Sequence, residues 1–309
     1  MIVKDINTFL KHVPANTSFS WELIKPFILQ AENTYVLPLL GATFYADLSA
    51  IGAPTGKALE LITRLEHAIS NIAFWMYLPV GNVQISDSGV QIITTGDRKT
   101  AFEWQLNQVM ASVSNLGMNG LDSTIDYLET NAADFNTYKT SDTRTANTTY
   151  FINNAPQFDD CYHINRSRLT FACFWPIIKQ VEDEQITAAM GGEYTALKTR
   201  LASTDPVSAA DKKLLKVVRN AIAYATIAKA LPQLAVEISP LGLSANYLSM
   251  INNVNYKTPA SDYRVQLLLS HVKETAAGYF SEIPLLLPGY TPADDGGQLP
   301  TDLKFFPFF

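Results

Sequence analysis

The chain repeats itself, and that limits its fold more than any single motif. Lys25-Pro-Phe-Ile-Leu-Gln-Ala-Glu32 returns as Trp175-Pro-Ile-Ile-Lys-Gln-Val-Glu182. At this offset of 150, Pro26, Ile28, Gln30, Glu32, Gly41 and Ala46 meet identical residues at Pro176, Ile178, Gln180, Glu182, Gly191 and Ala196. Phe44 meets Tyr194 in the same register. The offset then drifts to 153: Ala68-Ile69 meets Ala221-Ile222, Leu78-Pro79 meets Leu231-Pro232, and Val83, Ile85, Ser86 and Gly89 meet Val236, Ile238, Ser239 and Gly242. A repeat this long is one folding unit used twice. Its agreement in Pro and Gly punctuation points to duplicated backbone geometry as well as duplicated apolar pattern.

Each copy reads as mainly helical. Trp21, Ile24, Phe27, Ile28, Ala31 and Tyr35 recur at helical spacing, as do Leu59, Ile62, Leu65, Ile69, Ile72, Ala73 and Met76. The second helix is expected to end at Leu78-Pro79. Val83 to Ser86 and Val90 to Ile92 alternate around Asp87-Ser88-Gly89, a hairpin pattern. A third helix should bury Phe102, Leu106, Val109, Met110 and Val113 and break at Gly117-Met-Asn-Gly120, before a fourth around Ile125 to Leu128. The expected fold class is mainly α: two tandem, internally duplicated helical-bundle domains, each with a small β-hairpin, plus an extended C-terminal arm. The expected boundaries are a first domain over 1–135, a Thr/Asn-rich linker over 136–160, a second domain over 161–280, and an arm over 281–309, where Pro and Gly disfavour helix.

Composition excludes several functions. The formal charge of −6 and the lack of a Lys/Arg cluster argue against nucleic acid as a specific partner. Lys212, Lys213, Lys216 and Arg219 read as the solvated face of a helix. No apolar run reaches membrane-spanning length, and the first residues do not read as a secretory signal. Two cysteines, Cys161 and Cys173, do not make a disulfide framework and suit a reducing compartment.

Little in the sequence points to chemistry. His12, His67, His163 and His271 form no recognisable pairing, and Cys161-x-His163 with Cys173 lacks structural zinc spacing. Phosphate-binding glycine loops and the nucleophile elbow are missing. The expectation is therefore a protein that is not an enzyme, with no catalytic residues, no metal and no cofactor. The duplicated Glu32 and Glu182 are the exception. They are expected either to accept backbone N–H groups or to pair with Arg64 or Arg219.

The stretch Ile24-Lys-Pro-Phe-Ile-Leu-Gln-Ala-Glu32, with Tyr35-Val-Leu-Pro-Leu-Leu-Gly41, Phe44-Tyr45 and the later Leu-Pro and Val-x-Ile-Ser-Asp-Ser-Gly segments, resembles an uncharacterised family of tailed phages and prophages of Bacteroidetes, encoded among head-assembly genes. The likeness runs from residue 1 to about residue 280. The helical domain is also similar in style to head-to-tail connector (adaptor) proteins. The resemblance implies a structural virion protein, assembled in the host cytoplasm and located at the head–tail neck. It would form a cyclic homo-oligomer, roughly twelve-fold, contacting the portal protein and downstream neck or tail proteins. A non-catalytic interaction scaffold outside a virion is the alternative. The ending Asp302-Leu303-Lys-Phe305-Phe306-Pro-Phe308-Phe309 fits the first reading. Leu303, Phe305, Phe306, Phe308 and Phe309 are the expected partner-binding residues, since buried phenylalanine contributes about 2–3 kcal/mol and extended arms bind by inserting side chains into pockets.

Overall fold

The computed structural model describes residues 1–16, 19–81, 83–86, 89–92, 102–141, 149–203, 205–234, 236–239, 242–245 and 261–290. The chain divides into two units: Met1–Ala146 with Leu248–Thr258, and Asn147–Tyr247 with Pro259–Phe309. The expected arm residues Leu303, Phe305, Phe306, Phe308 and Phe309 lie outside the described residues, as does the Asp87-Ser88 part of the expected turn.

The first unit opens with buried Ile2 and Val3, then α1 (Ile6–His12), whose first turn is capped by Asp5 accepting from the Thr8 amide. Next comes α2 (Trp21–Ala31), which passes into a single π-helical turn, Glu32–Val36. Short α3 (Leu37–Leu40) ends at Gly41, whose φ of 80° explains the glycine there. The helix α4 (Ala42–Ala50) follows. The frame is a pair of long helices, α5 (Gly56–Gly81) and α6 (Glu103–Thr130). Between them, Val83–Ser86 (β1) pairs antiparallel with Gly89–Ile92 (β2), Val83 opposite Ile92. The unit closes with a 3₁₀ turn and α7 (Asn136–Lys139), where Phe135 and Tyr138 pack on Phe44.

The second unit repeats this order: α8 (Ala155–Asp159), α9 (Arg168–Gln180), a π-helical turn (Val181–Ile186), α10 (Thr187–Met190), α11 (Glu193–Ala202) and long α12 (Ala209–Leu234). Val236–Ser239 (β3) then pairs antiparallel with Gly242–Ala245 (β4), and α13 (Asp262–Leu285) packs on α12. The bounds of α12, β3 and β4 are those of α5, β1 and β2 shifted by 153. Its core runs from Phe151 and Phe158 through Ile178, Val218 and Ile222 to Val272 and Ile283.

Several boundaries differ from expectation. The helix α6 does not break at Gly117 and Gly120. A Cβ on Gly117 would lie 2.7 Å from Ile72 Cγ1 and 3.0 Å from the Ile72 backbone nitrogen, so the glycines mark a close helix crossing. Pro79 lies inside α5 and Pro284 inside α13, each in the last turn. The arm therefore cannot begin at 281: helix continues to Leu285, with Ile283 fully buried. The expected linker is shortened from both sides. Tyr138 is buried in the first unit, and Phe151, Ile152, Ala155 and Phe158 are core residues of the second. Of the apolar residues expected inside, Leu59, Phe102 and Val109 are exposed.

Candidate functional site

Two kinds of feature occur once in each unit: a buried carboxylate on the π turn, and an exposed apolar face on the last long helix. Both stand apart from ordinary core packing.

Glu32 is buried, and its Oε1 accepts the Ile2 amide at 2.6 Å and the Val3 amide at 3.3 Å. The Tyr45 hydroxyl donates to Oε2 at 2.6 Å. Glu182 does the same in the second unit, accepting the Phe151 amide at 2.9 Å and the Tyr194 hydroxyl at 3.0 Å. Each carboxylate thus ties down the residues that open its own unit. Charge-assisted bonds to backbone amides are worth about 1.5–3 kcal/mol each. The carboxylates and burial together push both tyrosine hydroxyls above their ordinary pKa, burial being the larger cause.

Of the two partners expected for the glutamates, the backbone amides are present and the arginine pairings are not. Arg64 bonds Glu60 one turn away and lies over the Tyr127 ring. Arg219 donates from Nε to the Phe151 carbonyl at 2.8 Å, so Phe151 is held at its N–H by Glu182 and at its C=O by Arg219. It is partly buried and does not share the solvated face of Lys212, Lys213 and Lys216. The cation facing Glu182 is Lys198, 3.0 Å away, which also meets the Tyr150, Phe151 and Tyr194 rings. Burial raises the Glu182 pKa, and Lys198 opposes that rise.

These contacts also correct the repeat register. Tyr45, not Phe44, does in the first unit what Tyr194 does in the second, because the segment after Gly191 is one residue shorter than that after Gly41. The repeat begins earlier than the apolar pattern revealed. Asp5 and Asn154 cap equivalent first turns, and Phe9 and Phe158, 149 residues apart, are both fully buried. The pattern cap-x-x-[Thr/Gln]-Phe was the available signal.

His12 and His67 meet edge to face with ring centroids 5.7 Å apart, and burial lowers both pKa values. His163 pairs with Asp159, Cys173 is exposed, and burial pushes the Cys161 thiol up to about 11. No group of three metal-ligating side chains occurs among the described residues.

The exposed faces lie toward the starts of α6 and α13. Phe102 is 69% exposed and Trp104 58%, with Val109 and Leu116 also exposed. In the second unit Tyr263 is 75% exposed and Leu267 59%, with Leu268 beside them. From Trp104 to Leu121, α6 carries no charged residue. A solvent-facing helix ordinarily carries charges on its outer face, whereas charge depletion with aromatic enrichment marks the centres of protein interfaces.

Residues 23–148 and 177–290 match the model of a family of unknown function, DUF6712. The chain belongs to this family. The two DUF6712 stretches are consistent with the duplication, and each reaches from the first helices of a unit into or past its last long helix. The clamped openings, Ile2–Val3 and Phe151–Ile152, lie outside both stretches, so the structural repeat is longer than the DUF6712 match. No curated protein and no solved structure matches the chain.

Proposed function

We propose that this chain is a structural virion protein, a head-to-tail connector that forms a ring between the portal and the tail of a tailed phage. The observation that carries the reading is the exposed face of α6 within its uncharged run, together with the exposed apolar cluster Tyr263, Leu267 and Leu268 at the start of α13. A chain that meets like neighbours on two sides needs two such lateral faces. The buried carboxylates support it indirectly, since their oxygens are engaged by the protein's own amides and tyrosines. They read as latches that hold each unit in shape. The sequence resemblance supplies the setting: a virion neck, assembled in the host cytoplasm, with portal and downstream neck or tail proteins as partners. In this reading the small strand pairs are hairpins. The C-terminal residues Leu303, Phe305, Phe306, Phe308 and Phe309 anchor an arm on a neighbouring subunit or the next ring.

The test is the mass of the purified protein, alone and mixed with the portal encoded beside it, for the full chain and for one ending at Pro300. A closed assembly that needs the last residues supports the connector and locates its anchor. A monomer or dimer indifferent to both portal and truncation supports a scaffold outside a virion.

A further inference from the structure

We infer that the exposed face of α6 in one copy docks against the exposed start of α13 in the next copy, as a helix-on-helix contact. The inference rests on the ring reading above and names the surfaces that would join its subunits.

Three observations lead to it. Val109 and Leu116 are exposed on α6 and lie seven residues apart, the spacing of a seam that meets another helix, and Phe102 is exposed at the N-cap of the same helix. The flanking exposed positions Gln108, Ser112 and Asn115 are polar but uncharged, so the α6 side brings no ion that must lose its water, whereas the α13 side carries exposed Asp262 and Arg264 beside its apolar cluster. Among the described residues, the other long helix with a cluster of exposed large apolar side chains is α13, through Tyr263, Leu267 and Leu268.

Symmetry selects the pairing. A ring with a single rotation axis is built from heterologous contacts, in which each copy offers two different surfaces, whereas face-to-own-face contacts generate two-fold axes. The two faces are different, α6 offering Val109 and Leu116 and α13 offering Tyr263, Leu267 and Leu268, which meets that need with one type of interface. Size is compatible. With about 200 Å² for a whole aromatic side chain, the two faces together expose on the order of 700 Å² of apolar side chain. With a polar rim, that is the apolar centre of a standard interface of roughly 1,600 Å², somewhat more than half of it non-polar.

The experiment uses full-length chains with one face disabled: Val109→Glu with Leu116→Glu, and Leu267→Glu with Leu268→Glu. All four residues are exposed, so thermal unfolding should match wild type, which confirms that the variants fold. Sedimentation velocity then reads assembly over a concentration series, with and without the portal. Wild type should form higher species. Each variant alone should lose them, with association weakened by a hundredfold or so. Mixed, the two variants should form a complex that stops at one copy of each, because only one intact pair of faces remains.

Separate self-pairing of either variant, with no mixed complex, would overturn the inference. So would a wild type that stays monomeric with and without portal, or variants that assemble as wild type does. If the portal recruits both variants into full assemblies, the connector reading survives and this contact does not. If the mixed pair forms but the portal is ignored, the contact survives and the connector reading falls.

Discussion

Replacing Gly117 by alanine should destabilise the first unit, although alanine is the better helix former. The added Cβ would sit 2.7 Å from Ile72 Cγ1 and 3.0 Å from the Ile72 nitrogen. Carbon atoms pack best at about 3.5–4.0 Å, and one of the two neighbours is backbone, so relief requires α5 and α6 to move apart. Overpacking of this kind costs about 1–3 kcal/mol. Helix propensity returns about 0.8–1 kcal/mol. With backbone involved, the net expectation is a loss of about 1–2 kcal/mol, or a few degrees in Tm for a domain of this size. Gly278 is the control. It lies in α13 with nothing within 4 Å of a built Cβ, so Gly278→Ala should gain about 0.5–1 kcal/mol. The second unit suggests a rescue. Matching the buried positions Gly117, Leu121 and Leu128 of α6 to Val272, Ala276 and Ile283 of α13 sets Val272 where the first unit has Gly117, and the 153 offset of α5 and α12 sets Ala225 where it has Ile72. Ile72→Ala alone should cost about 2–5 kcal/mol, and adding Gly117→Val should recover at least ~1 kcal/mol of it through coupling between touching sites. Urea unfolding followed by circular dichroism, with hydrogen exchange on α5 and α6, reads these changes. If Gly117→Ala stabilises as Gly278→Ala does, or if the double variant is additive, the close-crossing argument is wrong.

The remaining expectations concern the latches and the arm. Glu32→Gln should cost about 1–3 kcal/mol, and Glu182→Gln somewhat more, because it also leaves the partly exposed Lys198 facing a neutral amide. Chemical unfolding gives the order, and amide exchange at Ile2 and Phe151 should accelerate in the respective variants. Burial raises the Glu182 pKa above its ordinary value of 4.5, so between those two values the folded state binds more protons than the unfolded one. This group's contribution to stability therefore falls as pH rises through that window. Lys198→Met should raise the pKa further and extend the window upward, and Tm against pH for the two proteins would show no such divergence if Lys198 were not the counter-charge. Deleting residues 301–309 should abolish portal-dependent assembly while leaving the Tm of both units unchanged, and a drop in Tm would instead mean that the tail packs on its own chain.

The helical class and the duplication are readable from local chemistry. A 3.6-residue apolar period, Pro and Gly punctuation and the repeated Glu32/Glu182 are properties of neighbouring residues, and both copies carry them. The latch was half visible for the same reason: the glutamates stood out, but their partners are 12–31 residues away, at distances no local pattern records. Lys198 displaced the expected Arg219 because folding brings α11 to the carboxylate and turns Arg219 toward a carbonyl. Gly117 and Gly120 read as a break because glycine weakens an isolated helix. Packing reverses that meaning, since without Cβ atoms α6 can approach α5 and the tertiary contact outweighs about 1 kcal/mol of propensity per glycine. Phe102 and Val109 fit a helical apolar period just as core residues do. Whether such a stripe faces its own core or the solvent depends on what is packed above it, and that is set by the arrangement of helices in three dimensions.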